Sequence, residues 1–325
     1  MDVIKVKNLR KIFNHEIKAV DGINFEVRQG EIFGFLGPNG AGKTTTMNIL
    51  CALAKPTEGE ATICKYDVMM QPEEVRKCIG IVFQDTSLDD RLTAKENLEL
   101  HARLYGVPKS ERKKRINEVL ELAELKDREN SIVKTFSGGM KRRLELARGL
   151  IHHPRVLFLD EPTLGLDPQT RKHIWDYILK LKKEKEITIM LTTHYMEEAD
   201  ELCDRIAIMD HGKIIALDTS KNLKDSLGGD TIILDLKDED IKKGIKIFKN
   251  SKSFNGQLFL SVKNAGREIK RILEVAKTNN IDVLEINIRR PTLNDVFLNM
   301  TGKEIREDTP NLKEQLKGRI RMMGH

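Results

Sequence analysis

A glycine-rich segment near the N-terminus has the residue types and spacing that hold a chain of phosphates. It fits the pattern G-x-x-x-x-G-K-[ST] and lies between the strand-like IFGFLG and the helix-like KTTTMNILCALA. Its glycines let successive backbone N–H groups point at phosphate oxygens, and the helix N-terminus favours negative charge there. We therefore expect Lys43 to reach the β- and γ-phosphates of ATP or GTP, and the Thr44 hydroxyl to ligate Mg²⁺. The residues expected to contact the nucleotide here are Gly37, Pro38, Asn39, Gly40, Ala41, Gly42, Lys43, Thr44 and Thr45.

Two adjacent carboxylates follow the apolar run VLFL, which is typical of a strand buried on both faces of a parallel sheet. We predict that Asp160, at the end of this strand, holds the Mg²⁺. Glu161 follows directly and so points the other way, toward the place of an attacking water. We predict that it is the general base or that it positions this water. The alternative is an acidic pair that faces solvent, which the presence of the glycine-rich loop disfavours.

Polar side chains also end two further strand-like segments. Gln84 follows IGIVF, and its neutral amide could touch Mg²⁺ or water while nucleotide is bound. His194 follows ITIMLTT, and we predict that it senses the γ-phosphate and orients Glu161, although a lone histidine is more often an ordinary surface or core residue. Phe13 lies in an N-terminal strand–turn segment, where it could stack on adenine or serve as a core aromatic.

A second glycine-rich helix start lies far downstream, in FSGGMKRRLELA. Ser137 is a candidate N-cap, and Gly138 and Gly139 leave the N–H groups of the first turn uncovered. This gives a second phosphate-binding helix terminus on a different subdomain. One γ-phosphate cannot easily meet both motifs of a single chain, so the pattern predicts two chains arranged head to tail, each capping the other's ATP. A glycine-rich helix start without function is the alternative.

The composition is that of a globular protein. The 325 residues are 39% hydrophobic and carry a formal net charge of +6, a mild excess that ordinary solubility explains, so no nucleic acid partner is expected. The four cysteines show no CxxC spacing and are expected to be reduced thiols. The longest apolar runs fall far short of the about 20 residues that a membrane span needs. Any membrane part must then belong to another polypeptide.

Apolar periodicity and turn signals predict an α/β fold. Strand-like segments fill residues 1–36, and a helical pattern covers 92–150, with Ser110 as an expected N-cap. Asp167 and Pro168 supply an N-cap and an N1 proline to the next helix. That helix has an apolar stripe formed by Ile174, Tyr177, Ile178 and Leu181.

A smaller α+β module is predicted after a weakly patterned boundary at 221–230. It contains the strand-like QLFLSV and ends with a short helix that starts at Thr292, with Asp295 in a capping box and Gly302 as the stop. Residues 303–325 are polar and basic, and we expect a mobile tail there. A further helix of the module has the expected apolar stripe Ile269, Ile272, Leu273 and Ala276.

The motifs taken together resemble the ATP-binding cassette (ABC) ATPases. GPNGAGKTT, Gln84, SGGM, LFLDEP, the GLD that ends at Asp167, and His194 occur in that family's order, within residues 1–220. The resemblance implies a P-loop NTPase with a RecA-like core, an N-terminal antiparallel β subdomain and a helical signature subdomain at about 86–150. It also implies a dimer with two Mg-ATP sandwiched, in which Asp167 links the two sites. The segment after Gln84 would dock a separate transmembrane permease.

Two segments resemble the drug-resistance, daunorubicin-type export branch of this family: FSGGMKRRLELA, and RRPTLNDVFLNMTG at 289–302. The family's commonest signature is LSGGQ, and Met140 cannot make the polar contact to the nucleotide sugar that glutamine offers. The resemblance implies an exporter ATPase that forms a homodimer and lies on the cytoplasmic face of the cell membrane. We expect an ATPase domain at 1–222, an accessory domain at 223–302 and the tail at 303–325. A cassette machine without a membrane partner, and a regulatory or dimer-holding role for the accessory domain, stay open.

Overall fold

The fold is built from three sheets and the helices that cover them. A computed structural model describes residues 1–14, 16–248, 251–254 and 257–301. In chain order the first elements are β1 (Asp2–Phe13), β2 (Ile17–Arg28), β3 (Ile32–Leu36), α1 (Lys43–Leu50), β4 (Glu58–Ile63), β5 (Tyr66–Asp67), α2 (Pro72–Cys78), β6 (Ile79–Val82) and α3 (Ala94–Leu104). Then follow α4 (Lys109–Leu122), α5 (Gly138–Leu150), β7 (Val156–Asp160), α6 (Pro168–Lys185), β8 (Thr188–Thr193), α7 (Met196–Leu202), β9 (Arg205–Asp210), β10 (Lys213–Asp218) and α8 (Ser220–Asp225). The last elements are β11 (Asp230–Leu236), α9 (Asp238–Ile247), β12 (Ser251–Phe254), β13 (Gln257–Val262), α10 (Ala265–Thr278), β14 (Val283–Arg289) and α11 (Leu293–Thr301).

The central sheet has the strand order β10-β9-β3-β8-β7-β6, and all its pairings are parallel except the β9–β10 hairpin. Every residue of β3, β7 and β8 is buried, as continuous apolar runs predict for strands covered on both faces. The predicted strand at 156–160 is confirmed. Because parallel strands end at one edge, the loop after β3, Asp160 and His194 all lie along that edge.

The N-terminal sheet is antiparallel, in the order β2-β1-β4-β5, and packs beneath the central sheet. Phe25 of β2 contacts two aromatic rings of β3, with centroid distances of 5.4 Å to Phe33 and 5.2 Å to Phe35. Aromatic pairs at such distances add to the area that they bury. They hold the N-terminal sheet against the strand that leads into the glycine-rich loop.

The region between β6 and β7 is helical, as predicted. Ile116, Val119 and Leu120 of α4 are buried and form its apolar face. The N-cap predicted at Ser110 is wrong, because the helix already begins at Lys109. Pro108 stands at the cap position with a φ of −55°, which its ring favours, and the chain enters the helix directly after it.

The C-terminal sheet has the order β12-β13-β11-β14 and is antiparallel. Leu258 and Leu260 point into its core, as the alternation in QLFLSV predicts. On α10, Ile272 and Ala276 are buried, but Leu273 is exposed, so its assignment to the apolar stripe is wrong. The buried face follows Ile272 and Ala276 one helical turn apart, and Leu273 lies beside it. Gly302 and the predicted tail at 303–325 lie outside the described residues.

Helix α11 inserts its apolar face into the core of the cassette, against α7 and α8. Leu293, Val296 and Phe297 are buried there. The predicted capping box is confirmed: Asp295 N–H donates to the Thr292 hydroxyl, and the Asp295 carboxylate accepts from Thr292 N–H at 2.8 Å. The last described helix therefore packs on the helix that follows His194.

Replacing Phe297 by alanine should lower the free energy of unfolding by about 3–5 kcal/mol, because it opens a cavity in a core that α11 completes. Urea unfolding of the full chain, followed by circular dichroism, measures this loss. The neighbouring Leu298→Ala is the matched control, since that side chain is 38% exposed and should cost much less. Equal costs for the two variants would contradict the packing of α11.

Candidate functional site

The glycine-rich loop leaves the end of β3 and is held tightly against its surroundings. Gly37 N–H donates to the Thr193 carbonyl at 3.3 Å. A Cβ atom on Gly37 would lie 2.3 Å from the Met209 carbonyl oxygen, and one on Gly42 would lie 2.3 Å from that of Ala19. Gly42 also has a φ of +101°, a conformation that other residues rarely adopt. These glycines are therefore required by the loop's own geometry.

Lys43 is the charged centre of this loop. Its side chain is buried, and Nζ donates to the Gly37 carbonyl at 2.7 Å and to the Pro38 carbonyl at 3.0 Å. Burial lowers the pKa of the Lys43 ammonium, while the charges of Glu161 and Asp160 oppose this shift. A cation curled inside its own loop, next to two carboxylates, is placed to meet phosphate oxygens.

Thr44 and Asp160 meet at the start of α1. Thr44 Oγ1 lies 3.3 Å from Asp160 Oδ1, and the Thr192 hydroxyl donates to the same carboxylate oxygen. Asp160 is buried. A hydroxyl beside a carboxylate is the kind of oxygen donor set that Mg²⁺ takes together with substrate phosphates. The residues present thus fit the predicted metal.

Glu161 and His194 are in direct contact, as the sequence predicts. His194 Nδ1 lies 3.1 Å from Glu161 Oε1. Burial raises the pKa of Glu161, but the hydrogen bond and charge of His194 and the charge of Lys43 outweigh it, so the pKa lies below its ordinary value. Glu161 has a φ of +45°, and its N–H donates to the Thr192 carbonyl at 3.1 Å. The result is an ionised carboxylate in a strained backbone position, suited to a general base.

Gln84 and Phe13 are both exposed. Gln84 is exposed and follows β6, whose Val82 pairs with Leu159 of β7, so it stands at the same sheet edge as Asp160. Phe13 ends β1 with 43% of its surface exposed, and the Lys11 ammonium lies 4.9 Å from its ring centroid. That exposure excludes the core-aromatic interpretation and leaves a ring face available for stacking.

The second glycine-rich helix start lies apart from the loop. Ser137 caps α5, its hydroxyl accepting from Met140 N–H at 3.3 Å, as predicted. Asp167 caps α6 by accepting from Thr170 N–H at 2.9 Å, and its hydrogen bonds with Thr170 lower the Asp167 pKa. Both helix starts border one cavity of about 430 Å³ to which no residue of 37–45 contributes. The loop at 37–45 and the helix start at Ser137 therefore do not line this cavity together.

The two signature glycines differ in the space around them. A Cβ atom on Gly139 would lie 2.5 Å from Thr170 Cγ2, whereas one on Gly138 would lie 3.5 Å from Leu166 Cδ2. Gly139 is thus required by the close approach of α5 to α6. At Gly138 no such clash exists, because 3.5 Å is an ordinary van der Waals contact.

Arg142 and Glu145 are site residues that the sequence analysis missed. The Arg142 guanidinium is buried and donates to the carbonyls of Phe83 at 2.7 Å and Asp160 at 3.2 Å. Glu145 pairs with Arg142 at 2.9 Å and accepts from Ser87 N–H at 2.8 Å. The signature helix is thereby bonded to the ends of β6 and β7. A possible signal was the run of small and apolar residues around α5, which indicates burial on several faces.

A strand–loop–helix that encloses a lysine, with a strand-end aspartate beside the loop's threonine, defines a P-loop nucleoside triphosphatase. The family model described as "ABC transporter" matches residues 20–164, and the one described as "ATP-binding protein DrrA1-3-like, C-terminal domain" matches residues 219–301. The chain belongs to the ATP-binding proteins of ABC transporters, and it is an ATPase.

Similar proteins support this over nearly the whole chain. The chain is 38% identical to the linearmycin resistance ATP-binding protein LnrL of Bacillus subtilis, over 94% of this chain and all of that protein. It is 40% identical to the doxorubicin resistance ATP-binding protein DrrA of Mycobacterium tuberculosis, over 92% of this chain and 93% of that one. A solved ATP-binding cassette, described as a dimer in a post-hydrolysis state with ADP and Pi, superposes with a TM-score of 0.59 at 32% identity, covering 66% of this chain and 98% of that one.

Replacing Glu145 by alanine should lower the free energy of unfolding by about 3–5 kcal/mol, because it leaves the buried Arg142 charge unpaired. Urea unfolding followed by the fluorescence of the single tryptophan measures this. Glu121→Ala, an exposed acid on α4, is the control and should change stability by less than about 0.5 kcal/mol. A Glu145 variant as stable as this control would contradict the role of the buried pair.

Proposed function

We propose that this chain is the motor subunit of an ABC exporter. Two copies would associate head to tail around two ATP molecules, and the cycle of closure and hydrolysis would drive a separate transmembrane permease. The observation that carries this proposal is the separation of the loop at 37–45 from the helix start at Ser137. Each needs a phosphate, and a second chain supplies the missing half of each site.

Hydrolysis would be carried by the groups at the sheet edge. Glu161 accepts the proton of the attacking water or orients that water, and His194 fixes the Glu161 carboxylate through the contact at 3.1 Å. Lys43 and the loop N–H groups hold the phosphates. Thr44 and Asp160, with Gln84 beside them, would hold Mg²⁺, which when bound neutralises charge on the phosphate oxygens.

The dimer contacts would come from the starts of α5 and α6. Ser137, Gly138 and Gly139 present the first-turn N–H groups of α5 to the partner's γ-phosphate. Asp167, which starts α6, would lie at the contact between the two sites. Met140 stands where the commonest signature has glutamine, so its contact with the partner's nucleotide would be apolar.

An exporter assignment is supported by the names of similar proteins, which refer to linearmycin resistance, doxorubicin resistance and Nod factor export. Within the described residues, no helix is long and apolar enough to cross a bilayer. We propose that the chain reaches the inner face of the cell membrane through its permease, which would move a drug-like or lipid-like molecule. Residues 1–222 would act as the ATPase domain and 223–302 as an accessory domain.

The docking site for the permease would lie beside the segment after Gln84. That segment leads into α3, on which Leu100 and Leu104 are exposed one helical turn apart, and Phe83 is exposed just before it. Large apolar side chains in solvent near one another are typical of a contact surface for another protein.

Glu161→Gln should abolish turnover, lowering the ATPase rate by about 10²-fold or more, because the amide cannot accept a proton. ATP binding should persist, and the variant should accumulate as an ATP-bound dimer. ATPase assays and light scattering after size exclusion, with and without Mg-ATP, measure both effects. Glu184→Gln, an exposed acid on α6, should behave as wild type. Hydrolysis by Glu161→Gln at the wild-type rate would refute the base assignment.

Leu104→Glu should prevent recovery of a membrane partner, because it places a charge on a side chain that is 71% exposed on the proposed docking surface. Pull-down of the tagged chain from detergent-solubilised membranes, with membrane proteins identified by mass spectrometry, tests this. Met70→Glu, at an exposed apolar residue before α2, is the control and should retain the partner. Recovery of soluble partners alone with the wild-type chain would refute the exporter proposal.

A further inference from the structure

Glu198 is a fully buried acid in a part of the site that the proposed chemistry does not use. It lies in the first turn of α7, four residues after His194, and its exposed surface is 0%. The next residue before it, Glu197, is exposed on the same turn. Burying a carboxyl group costs free energy unless it is hydrogen-bonded. Its partners therefore indicate what the burial achieves.

The partners of Glu198 come from two other segments of the site. Glu198 Oε1 accepts from the Thr163 hydroxyl at 2.7 Å and from the Trp175 indole N–H at 3.0 Å. Thr163 follows Glu161 by two residues, and Trp175 lies on α6, the helix that Asp167 caps. The Glu198 carboxyl group thus joins α7 to the segment after Glu161 and to α6.

The side chains of Arg171, Tyr195 and His194 contact one another in that order. The Arg171 guanidinium of α6 lies 4.1 Å from the Tyr195 ring centroid, and the Tyr195 and His194 ring centroids are 4.2 Å apart. Burial raises the pKa of Glu198, while hydrogen bonds from Thr193, Thr163 and Trp175 oppose the shift. The Arg171–Tyr195 contact joins α6 to the N-cap residue of α7, and the Tyr195 ring in turn contacts the ring of the adjacent His194.

We propose that Glu198 is a positioning residue that fixes His194 to the segment after Glu161 and to the start of α6. The inference rests on the proposed function, because it assigns Glu198 a role in the Glu161–His194 pair. While Glu198 holds its hydrogen bonds with Thr163 and Trp175, a change at the Asp167 end of α6 is transmitted to α7. The His194 imidazole then keeps its contact with Glu161. Without Glu198, the donors of Thr163 and Trp175 lose their buried acceptor, and α7 is free to shift.

The test compares three variants of the full chain in an ATPase assay with Mg-ATP. Glu198→Ala should lower kcat by on the order of tenfold or more, because His194 is displaced, with little change in KM since the loop at 37–45 is untouched. Glu198→Gln should retain most of the rate, because its amide oxygen can accept the same two hydrogen bonds. Glu197→Ala, on the same turn, should match wild type.

Trp175 supplies a spectroscopic readout, because it is the only tryptophan of the chain. Its emission should shift in Glu198→Ala, which removes the indole's acceptor, and should change little in Glu198→Gln. A folded Glu198→Ala with unchanged kcat, or equal losses of kcat in the alanine and glutamine variants, would overturn the proposal. If the alanine variant does not fold, Trp175→Phe removes one donor and keeps a ring, and an unchanged kcat there would overturn it.

Glu161→Gln, assayed in parallel, separates the two possible failures. If Glu161→Gln still hydrolyses ATP, the proposed function itself is refuted. If Glu161→Gln is inactive while Glu198→Ala turns over at the wild-type rate, only the role of Glu198 is refuted.

Discussion

Charge withdrawn from water at the carboxyl edge of the central sheet governs how the surrounding elements are arranged. Lys43, Asp160, Arg142 and Glu145 are all buried there. Each such group destabilises the fold unless an opposite charge or a hydrogen bond is fixed beside it. The glycine-rich loop curls around Lys43, Thr44 and Thr192 approach Asp160, and the ends of β6 and β7 offer carbonyls to Arg142. The contacts that stabilise the fold at this edge are thus the same contacts that shape the site.

These contacts also connect segments that are far apart in the chain. Arg142 and Glu145 bond the signature helix to the ends of β6 and β7, including the residues that flank Gln84. The start of α5, which we propose meets a partner's phosphate, is therefore bonded to the strand that carries Asp160. Helix α6 is bonded in turn to α7, because Trp175 donates to Glu198. A movement at the proposed dimer contact would reach the proposed hydrolytic groups through directly bonded neighbours.

The sequence allowed much of this to be predicted, because parallel strands buried on both faces leave continuous apolar runs. VLFLD and ITIMLTT located two strands, and strand ends of one sheet lie at one edge, so Asp160 and His194 could be placed near the loop. Arg142 and Glu145 could not be found in this way. Charges three residues apart on a helix ordinarily pair in solvent, and only tertiary packing puts this pair inside. The prediction that Leu273 is buried was wrong, because periodicity does not show where the buried face of a helix ends.

The position of α11 affects how the chain can fold during its synthesis on the ribosome. Chains emerge N-terminus first, and domains generally fold as they appear. Here Leu293, Val296 and Phe297 pack against α7 and α8, which are made much earlier in synthesis. Until α11 emerges, the apolar side of α7 stays open to water. This part of the core is therefore completed only after α11 has been synthesised.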